Sequence, residues 1–190
     1  MGDIVIIVGS PRKKGDTVTL ASEAARGILD RNCTFHIFIL NEMDYSGCQA
    51  CYGCKRGESF HCVRNDDMQQ IYAAIEQSCG MIIATSIYFG SVTGQTKLWL
   101  DRMFPYLSME PGSNLPGKIP VSCIYTQNQP DSTLFTGSMD TFEYMLRIPG
   151  FEFKTRMIAP NFDFGRKSPV LGRKDLVKQA YDIGYHLCDV

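Results

Sequence analysis

The run Ile4-Val5-Ile6-Ile7-Val8, closed by Gly9, constrains what this chain can fold into more than any other stretch. Its apolar residues are continuous and not alternating, so the strand they form must be covered on both faces, as in the middle of a parallel sheet. Such a sheet needs helices on either side and a long crossover between successive strands. The next segment supplies one: Val18, Ala21, Ala25, Ile28 and Leu29 recur at helical spacing over about residues 16 to 30.

The alternation continues along the chain. A second strand is expected over 34–40 and a third over 81–85. Between them Asp66 and Gln69 read as a capping box for a helix whose inner face carries Met68, Ile71, Tyr72 and Ile75, ended by Gly80. A helix over 93–104 should stop at Pro105. A fourth strand falls at 119–125, with Pro120 tolerable only near its start or on an edge. A helix over 132–146, a strand over 153–158 and a closing helix marked by Leu176, Val177, Ala180, Ile183, Gly184 and Leu187 complete the pattern. Strands alternating with helices in this way, joined by right-handed crossovers, give a doubly wound α/β sheet. The expectation is one domain over residues 1–190, with a cysteine-rich loop at about 45–64.

Charge narrows the partners. Nineteen Lys and Arg against 20 Asp and Glu leave a weak overall field, which steers toward neither nucleic acid nor an anionic membrane. No apolar run approaches bilayer length, the N-terminus lacks a secretory pattern, and Ile6 stands where a myristoylation site needs Ser or Thr. A cytoplasmic protein is expected, and in that compartment thiols stay reduced. Of eight cysteines, Cys33, Cys79, Cys123 and Cys188 lie singly on expected elements and read as small buried hydrophobes. The other four are clustered and suggest metal or redox chemistry.

Ligands of doubly wound sheets bind beyond the carboxyl ends of the strands, so the loops there carry the chemistry. The first, residues 9–17, reads Gly-Ser-Pro-Arg-Lys-Lys-Gly-Asp-Thr and opens a helix whose unpaired N–H groups can receive a phosphate. No Lys precedes Ser or Thr as in a P-loop, and the G-x-G-x-x-G spacing of dinucleotide sites is absent. In the loop after the third strand, Tyr88 and Phe89 can wall a flat heterocycle while N–H groups near Gly90 and Ser91 reach its polar edge. The polar loop after the fourth strand, 126–130, can border the same ring.

Together these loops resemble the NADPH-dependent FMN reductase family of the flavodoxin-like fold. The match is carried by residues 9–17, by Asp66-Asp67-Met68, and by Ile87-Tyr88-Phe89-Gly90-Ser91 through Lys97, Asp101 and Arg102. The resemblance implies a five-stranded parallel sheet in the order 2-1-3-4-5. It also implies an FMN whose phosphate is held by Ser10, Pro11, Arg12, Lys13, Gly15, Asp16, Thr17 and Val18. The ring would lie against Ile87, Tyr88, Phe89, Gly90 and Ser91, with Thr126 and Asn128 on its other side. Asp16 stands where the family often has Asn, so its carboxylate must turn away from the phosphate, and Ser86 stands where Pro is common.

Cys48, Cys51, Cys54 and Cys62 form C-x2-C-x2-C-x7-C, which resembles the iron-sulfur flavoprotein branch of the same family. Thiolates so spaced suit a 4Fe-4S cluster or zinc, or else remain redox-active or inert thiols. His61 beside them is expected to be solvated, and His36 and His186 to be structural. The resemblance implies a homodimeric NAD(P)H-dependent FMN or quinone reductase, passing electrons to a small molecule or a protein. One alternative is an iron-sulfur flavoprotein fed by ferredoxin, and another is a non-enzymatic metal-binding or thiol-sensing protein. No catalytic side chain is expected in the reductase, because the flavin carries the chemistry.

Overall fold

The computed structural model describes residues 2–56, 60–162 and 170–189. Gly57, Glu58 and Ser59, within the cysteine-rich loop, lie outside the described residues. The strands are β1 (Ile4–Val8), β2 (Phe35–Ile39), β3 (Gly80–Tyr88), β4 (Ser91–Val92), β5 (Ile119–Thr126) and β6 (Phe151–Ala159). The helices are α1 (Asp16–Asp30), α2 (Met68–Gln77), α3 (Gly94–Asp101), α4 (Thr136–Arg147) and α5 (Lys174–Leu187). The parallel strands run in the order β2-β1-β3-β5-β6, and the short β4 folds back antiparallel on β3. Apart from that extra hairpin strand, this is the expected flavodoxin-like order.

The apolar run of β1 is explained by its two sides. Val5 and Ile7 pack with Ile71, Tyr72 and Ile75 of α2, in the apolar cluster that also holds Trp99 of α3 and Met139 and Leu146 of α4. Ile4, Ile6 and Val8 pack with Leu20, Ala24 and Ile28 of α1 and with Leu176, Ala180 and Leu187 of α5. Each such fully buried Val or Ile contributes about 1.5–3 kcal/mol before the entropy of ordering it is subtracted. On the second side the helices meet backbone to backbone. A Cβ on Gly184 would lie 1.9 Å from Ala24 O, and one on Gly27 would lie 2.2 Å from Tyr181 O. Larger residues there would force α1 and α5 apart.

Pro120 is the second residue of β5 and is in register only with Glu152 of β6, because pairing with β3 begins at Val121. Its missing N–H therefore costs little. Two sequence expectations are corrected. The helix foreseen over 93–104 ends at Asp101, and Pro105 sits in a separate 3-10 turn over Phe104–Tyr106. The capping box is not formed: Asp66 does accept the Met68 N–H at 3.2 Å, but the Gln69 amide donates to the carbonyls of Cys62 and Arg64. Gln69 thus ties down the cysteine loop, not the helix end. Among the described residues no helix is long and apolar enough to cross a membrane.

Candidate functional site

The carboxyl ends of β1, β3 and β5 are tied together by hydroxyls. Gly9 donates its N–H to Ala84 O at 2.8 Å, and a Cβ on Gly9 would fall 1.8 Å from Thr96 Oγ1. Only glycine fits there. Thr93, the N-cap of α3, donates its hydroxyl to Gly9 O at 2.6 Å and accepts the Thr96 N–H at 3.3 Å. The base of the first loop is thereby fastened to the start of α3, a contact of 84 residues' separation.

A second hydroxyl group lies beside it. Thr17 Oγ1 is 2.9 Å from Ser86 Oγ and 2.7 Å from Thr126 Oγ1, and Thr126 donates to Ser86 at 3.2 Å. All three side chains are buried. Each hydroxyl donates once and accepts up to twice, so the triangle can be fully satisfied. Thr17 is therefore the pin that sets the first turn of α1 against the ends of β3 and β5.

The loop itself is shaped by short bonds. Ser10 Oγ accepts the Arg12 N–H at 3.3 Å, Gly15 donates to Arg12 O at 3.3 Å, and Thr19 N–H is satisfied by Gly15 O at 3.1 Å. Residues earlier in the first turn precede any intrahelical acceptor, so their N–H groups face out of the helix end with the positive dipole. Arg12, Lys13 and Lys14 are exposed around that end, and Lys13 pairs with Glu42 at 2.7 Å. The Asp16 carboxylate accepts the Val170 N–H at 3.3 Å. That bond reaches the segment before α5.

These strand ends enclose a cavity of about 690 Å³, within the range of cofactor sites. Of the residues singled out from sequence, Arg12, Asp16, Ile87, Tyr88, Phe89, Gly90, Thr126 and Asn128 line it. Ser10, Pro11, Lys13, Gly15, Thr17, Val18 and Ser91 do not. Those seven shape the loop, the helix start and the hairpin around it. The lining also includes Ser86, Gln127, Gln129, Phe135 and Phe162. Neither Phe135, inside the helix expected over 132–146 and in fact its N-cap residue, nor Phe162, after the last strand, was singled out from sequence. Gln127 is buried, donates to Gln129 O at 3.1 Å and Asp131 O at 2.7 Å, and leaves its Oε1 without a partner among the described residues.

Phe89 and Gly90 form the tip of the β3–β4 hairpin, with φ of 49° and 78°. Two left-handed residues between the paired Tyr88 and Ser91 match the type I′ turn that suits the strand twist. For a phenylalanine that conformation costs about 1–2 kcal/mol. Its ring is fully exposed at the mouth of the cavity, where it buries nothing that would offset the cost.

The four clustered cysteines line a second, small cavity of about 20 Å³, shared with Tyr52, Arg64, Arg102 and Phe104, and among the described residues no three or more His, Cys, Asp or Glu side chains are grouped so as to hold a metal ion. Cys48 and Cys51 are exposed, Cys62 is half-buried and Cys54 is buried. Ala50 and Tyr52 both take left-handed conformations, φ 50° and 56°, which curl the loop around the thiols. Ala50 donates its N–H to Cys48 Sγ at 3.4 Å. Two cations anchor the loop, Arg102 just after α3 and Lys55 from within the loop. Arg102, 1% exposed, forks onto Asp66 at 2.6 and 2.9 Å and donates to Ser46 O at 2.8 Å. Lys55 Nζ donates to Phe104 O at 2.7 Å, to Pro105 O at 3.0 Å and to Leu107 O, and stands over the Phe104 ring. Burial pushes the Cys54 thiol up, against the opposing pull of Lys55. His61 is not simply solvated but pairs with Glu76 at 2.9 Å. His36 and His186 pair with Asp3 and Asp189.

A flavodoxin-like sheet with a glycine-bounded loop at a helix start and an aromatic hairpin opposite defines a class of protein that holds a phosphorylated flat ring beyond its strand ends. The model of the NADPH-dependent FMN reductase family matches residues 3–129, and the chain belongs to that family. It is 31% identical over 102 residues to an iron-sulfur flavoprotein of Methanocaldococcus jannaschii, a match covering 54% of this chain and 52% of that one. With an iron-sulfur flavoprotein of Methanosarcina thermophila it shares 36% over 97 residues, 50% of this chain and 49% of the other. The chain thus spans about half the length of these relatives. In structure it is similar to an NAD(P)H:quinone oxidoreductase from Methanothermobacter marburgensis, with a TM-score of 0.80 at 14% identity over 98% of this chain and 96% of that one. At that identity the likeness speaks to fold.

Proposed function

We propose that this chain is an FMN-dependent oxidoreductase that takes electrons from NAD(P)H and passes them to a small-molecule or protein acceptor. The supporting observation is the 690 Å³ cavity, bounded by Arg12 and Asp16 at the start of α1 and by Tyr88, Phe89, Phe135 and Phe162 elsewhere. FMN, when bound, supplies hydride acceptance and release of electrons. The chain's own residues then bind and orient. First-turn N–H groups of α1 and the Arg12 guanidinium receive the phosphate. The unpartnered Gln127 Oε1 offers an acceptor to a ring N–H, and the aromatic side chains exclude water from the ring faces. The unit works as one cytoplasmic domain and as a homodimer.

Titration of the purified protein with FMN tests this directly, by quenching of flavin fluorescence and by NAD(P)H consumption with a quinone or free flavin as acceptor. Thr17→Val should weaken FMN binding about tenfold, the worth of roughly one lost hydrogen bond that sets the helix start. Unchanged affinity would sink the placement of the phosphate, and a colourless protein that takes up no FMN would favour a thiol-sensing or metal-binding role.

The cysteine cavity supports an addition to this reading: Cys48, Cys51, Cys54 and Cys62 line one small cavity, and although among the described residues no three such side chains stand placed to hold a metal ion, four thiols in one loop are the ligand type of a 4Fe-4S cluster. Such a centre would let a ferredoxin serve as donor. The cavity, about 20 Å³, is of single-atom size, nearer to zinc than to a cluster. Iron, sulfide and zinc assays on anaerobically purified protein separate the two occupants.

A further inference from the structure

At the opposite, amino-terminal end of the sheet three thiols distant in sequence come together. β1 carries β2 and β3 on its two sides, with Ile4 in register with both Phe35 and Gly80, so Cys33 and Cys79 enter the sheet on either side of β1. The end of α5 closes over them. Leu187 packs on Gly80, where an added Cβ would lie 3.1 Å from Leu187 Cγ, and Asp189 pairs with Arg31. Cys188 lies between those two anchors, and so at the same end of the sheet as Cys79, next to Gly80, and Cys33, two residues beyond Arg31. All three border the apolar cluster shared by α1 and α5, and all are partly exposed.

As expected of small hydrophobes, all three pack against the apolar cluster, though none is fully buried. Their own hydrogen bonds are local: Cys33 Sγ to Arg31 O and Cys188 Sγ to Gly184 O, each at 3.7 Å, and Cys79 Sγ to Gly2 O at 2.9 Å. Burial, with the adjoining Cys33 and Cys79 thiols, pushes Cys188 up to about 12. A small buried hydrophobe accounts for one such thiol. It does not account for three delivered from the ends of α1, α2 and α5 to one spot.

We propose that Cys33 and Cys188 form a reversible disulfide that staples the end of α5 to the end of α1, with Cys79 as the third thiol able to exchange into it. The oxidant is a low-molecular-weight disulfide. One cysteine attacks it, its S–S bond breaks and one small thiol leaves; the second cysteine then displaces the other small thiol as the Cys33–Cys188 bond forms. Two protein thiols are oxidised, the small disulfide is reduced to two thiols, and these carry away both protons. The site lies at the far end of the sheet from the cavity and depends on no reading of it.

The test equilibrates the purified protein across mixtures of oxidised and reduced glutathione, alkylates the remaining thiols and maps peptides by mass spectrometry. The expected result is a linked pair of peptides containing Cys33 and Cys188, lighter by two hydrogens, with a melting temperature raised by about 5–10 °C. Cys33→Ser and Cys188→Ser should each abolish both effects, whereas Cys79→Ser should keep them. Full alkylation of Cys33 and Cys188 at every glutathione ratio would overturn the proposal. So would links running from them only to the cysteines of the 48–62 loop.

Discussion

The large cavity at the strand ends and the small cysteine cavity are built by opposite means. The first is a consequence of topology: β1, β3 and β5 end side by side, and Gly9, Thr17, Ser86 and Thr126 lock those ends with short buried bonds. The second belongs to a loop without strands, shaped by the left-handed Ala50 and Tyr52 and held in place by Arg102 and Lys55. A cavity framed by a sheet survives the loss of one contact, whereas a loop pinned by two cations does not. Damage to the two sites should therefore be separable.

Arg102→Gln should have the largest effect. It strips the fork from Asp66, whose side chain is 12% exposed, and breaking a buried pair of this kind costs about 3–5 kcal/mol. Chemical denaturation would read that loss, and metal analysis should find the cysteine site depleted while FMN affinity stays within about twofold. A parallel collapse of FMN binding would mean that the two sites are one unit. Lys55→Met comes next. Losing the bonds to three carbonyls should destabilise by about 1–3 kcal/mol and release metal faster, again sparing FMN, as stopped-flow chelation can measure.

Acid should repeat the comparison more gently. Burial alone would raise the Asp66 carboxyl, but the hydrogen bond and charge of Arg102 outweigh it and hold the group below its ordinary 3.8. A depressed carboxyl stabilises the fold above its unfolded pKa, and that contribution disappears as pH falls through the lower, folded value. The loop's anchor should thus persist through mild acid and fail only below pH 3.8, as followed by the fluorescence of Trp99, whose carbonyl accepts the Arg102 N–H. Asp66→Asn should remove that acid limb. The smallest stability effect is expected from Phe89→Gly. Relief of a left-handed phenylalanine should be neutral or stabilising by about 1 kcal/mol, while electron transfer to an aromatic acceptor declines. A clear loss of stability would show that the exposed ring packs on something in solution.

Much of the frame could be read from residue order alone. The continuous run of β1 required two covered faces, and the structure divides Val5 and Ile7 from Ile4, Ile6 and Val8 accordingly. Both loop ends of the large cavity were also legible, because glycine spacing and a helix start are local properties. Its far walls Phe135 and Phe162 were not, whereas Gln127 lies in the 126–130 loop expected to border the ring. Nor was the dual life of Asp66 and Gln69, which spell a helix cap locally but are claimed by Arg102 and the cysteine loop across space.

The amino-acid sequence by itself determined the succession of strands and helices, the buried centre of the sheet and the position of the loops that carry chemistry. All follow from period, capping and glycine, which act over a few residues. Only the tertiary structure decided that Thr17 meets Ser86 and Thr126, that Arg102 underlies the thiols of the 48–62 loop, and that Cys33, Cys79 and Cys188 share one corner. Those meetings depend on how whole elements stack, and their energy comes from contacts between segments that a local pattern does not connect.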